Sequence, residues 1–173
     1  YNRSESNAYS SYLFDEMFVL QNIYSDSLNY ETIHGYILSL QKASIEWNKL
    51  NNPTSFEDNE KEFKEVIISL YRAQLKPSFK PLILAILLKK DSNFIKIIQL
   101  LEEFSFKIFA ISDRQSNTGD SKLYKLAYQV YQNNLSADNT YSGIKQYLEQ
   151  YYSFNLFRNQ VSELFDSKEK NGF

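Results

Sequence analysis

Cysteine is missing from the 173 residues, and with it go any disulfide framework, any thiol nucleophile and any thiolate metal site. A reducing compartment is compatible with that composition, and a cytoplasmic location is expected. Histidine occurs once, at His34, so no histidine pair can hold a metal, and two-histidine nuclease or zinc-protease arrangements are excluded within the chain. With only 4 Gly and 3 Pro there is little material for a turn-rich β fold. Gly119 stands alone in its loop, so neither a Walker-type nor a dinucleotide-type phosphate cradle is present. Long apolar runs are also missing. The most apolar stretch, Leu82 to Leu88, has seven residues. As a helix it spans about 10 Å, against ~30 Å for a bilayer core, so no membrane partner is expected.

What is present is aromatic and amphipathic: 14 Tyr, 13 Phe and a hydrophobic content of 43%. That is enough for one substantial core, and a single helical domain over residues 1–173 is expected. The chain opens on Tyr1 rather than Met, so it reads as a piece of a longer multidomain protein. The net charge of −2 is unevenly spread. Residues 1–71 carry 5 basic and 11 acidic side chains (−6), residues 72–125 carry 10 and 5 (+5), and residues 126–173 carry 4 and 5 (−1). A basic middle can face phosphate or an acidic partner, or simply the acidic first third of the same fold.

The Leu82–Leu88 run is the anchor. Pro81 suits a first helical turn, where its missing N–H is no loss, and Lys89 and Lys90 suit the negative end of the helix dipole. A helix apolar all round requires neighbours on every side. Around it the three- and four-residue periodicity predicts further helices. One spans 7–24 with Tyr9, Leu13, Met17, Leu20 and Tyr24 inward. The next spans 30–50 with Ile33, Tyr36, Ile37, Leu40, Ala43 and Trp47 inward. A third opens near Thr54, where Thr54 and Glu57 have capping-box spacing, and buries Phe63, Val66, Ile67, Leu70 and Tyr71. A long one follows a cap at Asp91 or Ser92 and buries Phe94, Ile97, Ile98, Leu101, Phe104, Ile108 and Ile111. Two more bury Leu123, Leu126, Ala127 and Val130, and Tyr141, Ile144, Leu148 and Tyr151. A last amphipathic segment carries Phe157, Val161, Leu164 and Phe165. No strand-like alternation appears. The expected fold is all-α, a bundle of seven or eight helices around one fully buried central helix.

Candidate chemistry is sparse. The carboxylates Glu57, Asp58, Glu60, Glu62 and Glu65 lie at a helix start, where acidic side chains match the dipole without any metal. The polar run 112–120 is a loop. Its Arg114, Asn117 and Thr118, with Lys122 and Lys125 in the first turns of the next helix, are the candidate phosphate or nucleic-acid contacts. Tyr124, Tyr128 and Tyr131 form a stripe on which bases could stack. No catalytic residue, metal ligand or cofactor site is assigned.

The stretches Phe79-Lys80-Pro81-Leu82-Ile83-Leu84-Ala85, Phe104-Ser105-Phe106-Lys107-Ile108-Phe109 and Asp113-Arg114-Gln115-Ser116-Asn117-Thr118-Gly119, the last running into Ser121-Lys122-Leu123-Tyr124, carry a family pattern. It resembles the helical middle region of GmrSD-type proteins, a large prokaryotic family that includes modification-dependent restriction endonucleases. The resemblance covers roughly residues 30–152. It implies a ParB-like nucleotide-hydrolysing domain before the helices and an HNH-type nuclease domain after them. The D-G-Q-Q-R-like motif of the first and the histidine-bearing motifs of the second are absent here, so no catalytic residue carries over. The implied role is a non-catalytic scaffold or linker in a DNA-targeting phage-defence protein, with flanking domains and DNA as partners. The alternatives are a stand-alone helical protein-interaction module and an enzyme domain holding a phosphate ligand at the 112–120 loop.

Overall fold

The computed structural model describes residues 16–111, 119–152 and 162. The described residues are helical, with no strand among them. Among the described residues seven α-helices follow in chain order: α1 (Leu20–Tyr24), α2 (Tyr30–Asn51), α3 (Lys61–Arg72), α4 (Lys80–Lys89), α5 (Ile95–Phe104), α6 (Asp120–Tyr131) and α7 (Ala137–Tyr151). Short 3₁₀ turns at Pro53–Ser55, Asp58–Glu60, Pro77–Phe79 and Ser92–Phe94 lead into several of them. None is long and apolar enough to cross a membrane.

The apolar run forms α4, and α4 is the hub. Helix α6 and the end of α2 pack on it, while α3 packs on α5 and α5 on α7. Leu82, Ile83, Ala85, Ile86 and Leu87 are buried with Ile67, Leu70, Phe79, Ile97, Ile98, Leu101 and Phe104 in one continuous core. Burying each of the leucine, isoleucine and phenylalanine side chains is worth about 1.5–3 kcal/mol. The expectation that α4 is covered all round fails on one line. Pro81 is exposed and Leu84 and Leu88 are only half-buried, because no described helix closes over that side.

The ends of the elements follow local chemistry. Asn29 caps α2 by accepting from the Thr32 N–H at 3.0 Å, Asp91 accepts from the Asn93 N–H at 2.9 Å, and Ser136 caps α7. The expected Thr54–Glu57 box does not form. Thr54 turns back to donate to Asn52 Oδ1, and the reach-back bond is made one turn later, where Glu60 Oε2 accepts from the Glu57 N–H at 3.2 Å. The long helix expected after Asp91 changes at Ser105 into a π-helical segment, Ser105–Ile111. There the buried Ser105 hydroxyl donates to the Ala73 carbonyl at 2.8 Å, tying the segment to the end of α3.

Helix α2 departs most from expectation. Its ends fall where the sequence put them, but only Glu46, Lys49 and Leu50, all in its last turns, are buried. Ile37, Leu40 and Trp47, expected inward, are about half exposed, at 55%, 52% and 44%. The helix is held by its C-terminal end. There Lys49 Nζ bonds Glu60 Oε1 at 2.7 Å and Glu46 Oε1 at 3.3 Å, and the Tyr71 hydroxyl donates to the Leu50 carbonyl at 2.9 Å. Lys90, in the left-handed region at φ 53°, brings a second ammonium to 3.8 Å from Glu46 and 3.9 Å from Glu60. The positions expected inward at Tyr9 and Leu13, and those at Phe157, Val161, Leu164 and Phe165, lie outside the described residues.

Candidate functional site

Of the five residues singled out for phosphate contact, Arg114, Asn117 and Thr118 lie outside the described residues. Lys122 and Lys125 are described, both exposed on the first turns of α6. The Lys122 ammonium sits 4.1 Å from the centre of the Tyr147 ring and donates to Gln150 Oε1 at 3.1 Å, so its charge is already engaged by α7. The dipole-positive start of α6 carries the Asp120 carboxylate in its first turn. Lys122 and Asp120 thus serve the α6–α7 junction.

That junction is tightly built. Gly119 has φ 90°, and a Cβ there would stand 2.7 Å from Tyr147 Cε1 and 3.3 Å from Phe104 Cζ. Tyr147 stacks on Phe104 with centroids 5.9 Å apart and meets Tyr151 edge-on at 4.8 Å. Burial, followed by the hydrogen bond with Tyr151 and the nearby Asp120 charge, raises the Tyr147 hydroxyl well above the usual tyrosine range.

An ionic cluster stands at the end of α2, where Lys49 meets Glu46 and Glu60. Burial pulls the Lys49 ammonium down, but the bond to Glu60 and the field of Glu46 outweigh it, and the net shift is upward. Burial likewise pushes Glu60 up, but its bonds from Lys49 and from the Glu57 N–H prevail, and it is held below the ordinary value of 4.5. Glu46 Oε2 is buried with no hydrogen-bond donor among the described residues. Each charge faces an opposite one, which describes a structural clasp joining α2, the 58–60 turn and the end of α4. Among the described residues no three His, Cys, Asp or Glu side chains converge as a metal site would require. His34 stacks on Tyr30 with centroids 5.5 Å apart and is exposed.

A wide concavity lies elsewhere. Only the last turns of α2 are buried, while its first half leaves a groove of about 970 Å³ open towards α4 and α6. Pro81, Leu84, Ala85 and Leu88 of α4 line it, with Gly35, Tyr36, Leu38, Leu40, Lys42 and Ala43 from α2 and Tyr124, Ala127, Tyr128 and Tyr131 from α6. Helices α2 and α6 each pack on α4 far more than on one another, which is why the space between them is unfilled. The α6 tyrosines that formed a candidate base-stacking stripe therefore stand along one wall of an apolar groove. Sequence reasoning missed the groove because the positions of α4 that line it are as apolar as those that fill the core. No family model, curated protein or solved structure matches the chain.

Proposed function

We propose that the chain is a non-catalytic helical scaffold that holds other polypeptide domains in register, within a cytoplasmic, prokaryotic DNA-targeting defence protein of GmrSD-like organisation. The observation that supports the reading is the apolar surface left along α2. Ile37, Leu38, Leu40, Ile45 and Trp47 are exposed on one 22-residue helix, beside the exposed Leu20, Ile23 and Tyr24 of α1. So many large apolar side chains exposed on one helix favour contact with another polypeptide over chemistry on a small molecule. The catalytic residues then belong to other domains of the assembly, and DNA contact within this chain falls to the basic middle third around Lys125.

A photo-crosslinking residue at Ile45 or Leu40, introduced into the protein in its own cells, tests the reading. Covalent adducts with polypeptide are expected there and not with the same residue at Glu65, on the exposed start of α3. Equal adducts from all three positions, or none, would remove the scaffold role. For the DNA part, Lys125→Glu is expected to lower the salt slope of DNA binding by about one unit.

A further inference from the structure

The groove between α2, α4 and α6 has a shape and a charge that select among occupants. Its floor is Pro81, Leu84, Ala85 and Leu88, spaced i, i+3, i+4 and i+7, which is one face of a helix. That face is wholly apolar, and its two leucines are half-buried rather than sealed. The walls are helices on both sides, and they offer exposed apolar groups to the space between them: Leu40 from α2, and Tyr128 and Tyr131 from α6. A floor of helical period between two helical walls is the arrangement into which a further helix packs ridge into groove. The charge is one-sided. Among the described residues Lys42 is the one charged side chain of the lining, and no carboxylate lines the groove.

We infer that the groove receives an amphipathic α-helix from a partner polypeptide, with an apolar stripe facing α4 and acidic residues flanking the stripe. The apolar stripe of that helix covers Leu84 and Leu88, and its carboxylates meet Lys42 on the α2 wall. The tyrosine hydroxyls stay at the wet margin while their rings are covered. This inference rests on the scaffold reading and gives it a partner chemistry.

The probe is a fluorescein-labelled 20-residue helical peptide with leucine at i, i+3, i+4 and i+7 and glutamate on both flanks, compared with the same peptide carrying lysine flanks. Each is titrated with the full chain by fluorescence anisotropy. The glutamate peptide is expected to bind saturably and at least about tenfold more tightly than the lysine peptide. Lys42→Glu is expected to abolish that preference. The double variant Leu40→Ser with Tyr128→Ser alters two side chains that are already half exposed, so it should keep the parent melting temperature and lose about tenfold in affinity. Leu88→Asp, on the floor, should lose more. No saturable binding, equal affinity for the two peptides, or indifference to the double variant would overturn the inference. So would a dimer of the chain broken by Leu40→Ser, which makes a second copy the occupant. A tenfold gain in peptide affinity on deleting residues 1–15 would make a segment of the chain itself the occupant, and would equally overturn it. Crosslinks from Ile45 read the outer face of α2, so they survive failure of the groove experiment and report on the scaffold reading separately.

Discussion

Two residue-scale contacts in this fold tolerate almost no change. At Gly119 the backbone is left-handed and the ring of Tyr147 occupies the space a methyl group would need. Gly119→Ala therefore pays both the left-handed penalty of about 1 kcal/mol and a clash of about 1–3 kcal/mol. A fall in melting temperature is expected that Tyr147→Leu in the same chain partly restores; no fall would mean the junction is looser than drawn. At the ionic clasp, Lys49→Met leaves the buried Glu46 and the half-buried Glu60 with only the exposed Lys90 nearby, and a loss of about 1–3 kcal/mol is expected in urea melts. The pH dependence follows from the shifts. Glu60 is held below its ordinary 4.5, so its contribution is present above that value and is lost as pH falls through the lower folded value. Lys49 is raised above 10.5, so its contribution is present below that pH and is lost as pH rises through the higher folded value. The stability difference between the parent chain and Glu60→Gln should be flat from about pH 6 to 9 and shrink on acidification. A difference that grows in acid would contradict the assignment.

Among the elements, α4 shows how far periodicity carries and where it stops. Its position as hub followed from seven apolar residues bounded by Pro81 and Lys89, and of the two caps the sequence offered for the next helix the structure uses Asp91. The open stripe was not legible, because a helix without a polar face gives no sign of which of its faces goes uncovered. Mutation distinguishes them. Ile83→Ala, at a fully buried site, should cost about 2–5 kcal/mol, and Leu84→Ala, on the half-buried line, about half as much or less. Equal costs would mean the groove is closed in solution. Helix α2 misled for the converse reason. Ile33, Leu40 and Trp47 recur every seven residues as a buried stripe would, yet the turns that pack carry Glu46 and Lys49, which paired charge makes buriable and hydropathy hides. Capping at Thr54 failed because its hydroxyl found Asn52 Oδ1 and Glu57 opened the following turn with Glu60 instead, and spacing alone cannot rank partners.

Over the described residues, packing is lopsided: α4 and α5 bury most of their apolar side chains, α4 all but the line at Pro81, Leu84 and Leu88, whereas α2 is anchored at one end and carries its apolar side chains into the open. The acidic first third and the basic middle do meet, but the described meeting is concentrated at the end of α2, where Lys90 approaches Glu46 and Glu60. Among the described residues nothing comparable ties the first turns of α2 to α6, so the two ends of that helix should differ in stability. Amide hydrogen exchange reads this directly, because exchange by local opening needs less free energy than global unfolding. Amides of Ile83 to Leu87 should exchange only with global unfolding. Those of Glu46 to Asn51 should lie close behind, and those of Tyr36 to Ala43 should exchange at least about a hundredfold faster, with a denaturant dependence too small for global unfolding. If an acidic amphipathic helix fills the groove, its addition should slow Tyr36 to Ala43 and leave Glu46 to Asn51 unchanged, since the clasp is already formed. Uniform protection along α2 in the isolated chain would show that the helix is held along its whole length and that its exposed leucines are not a vacant seat.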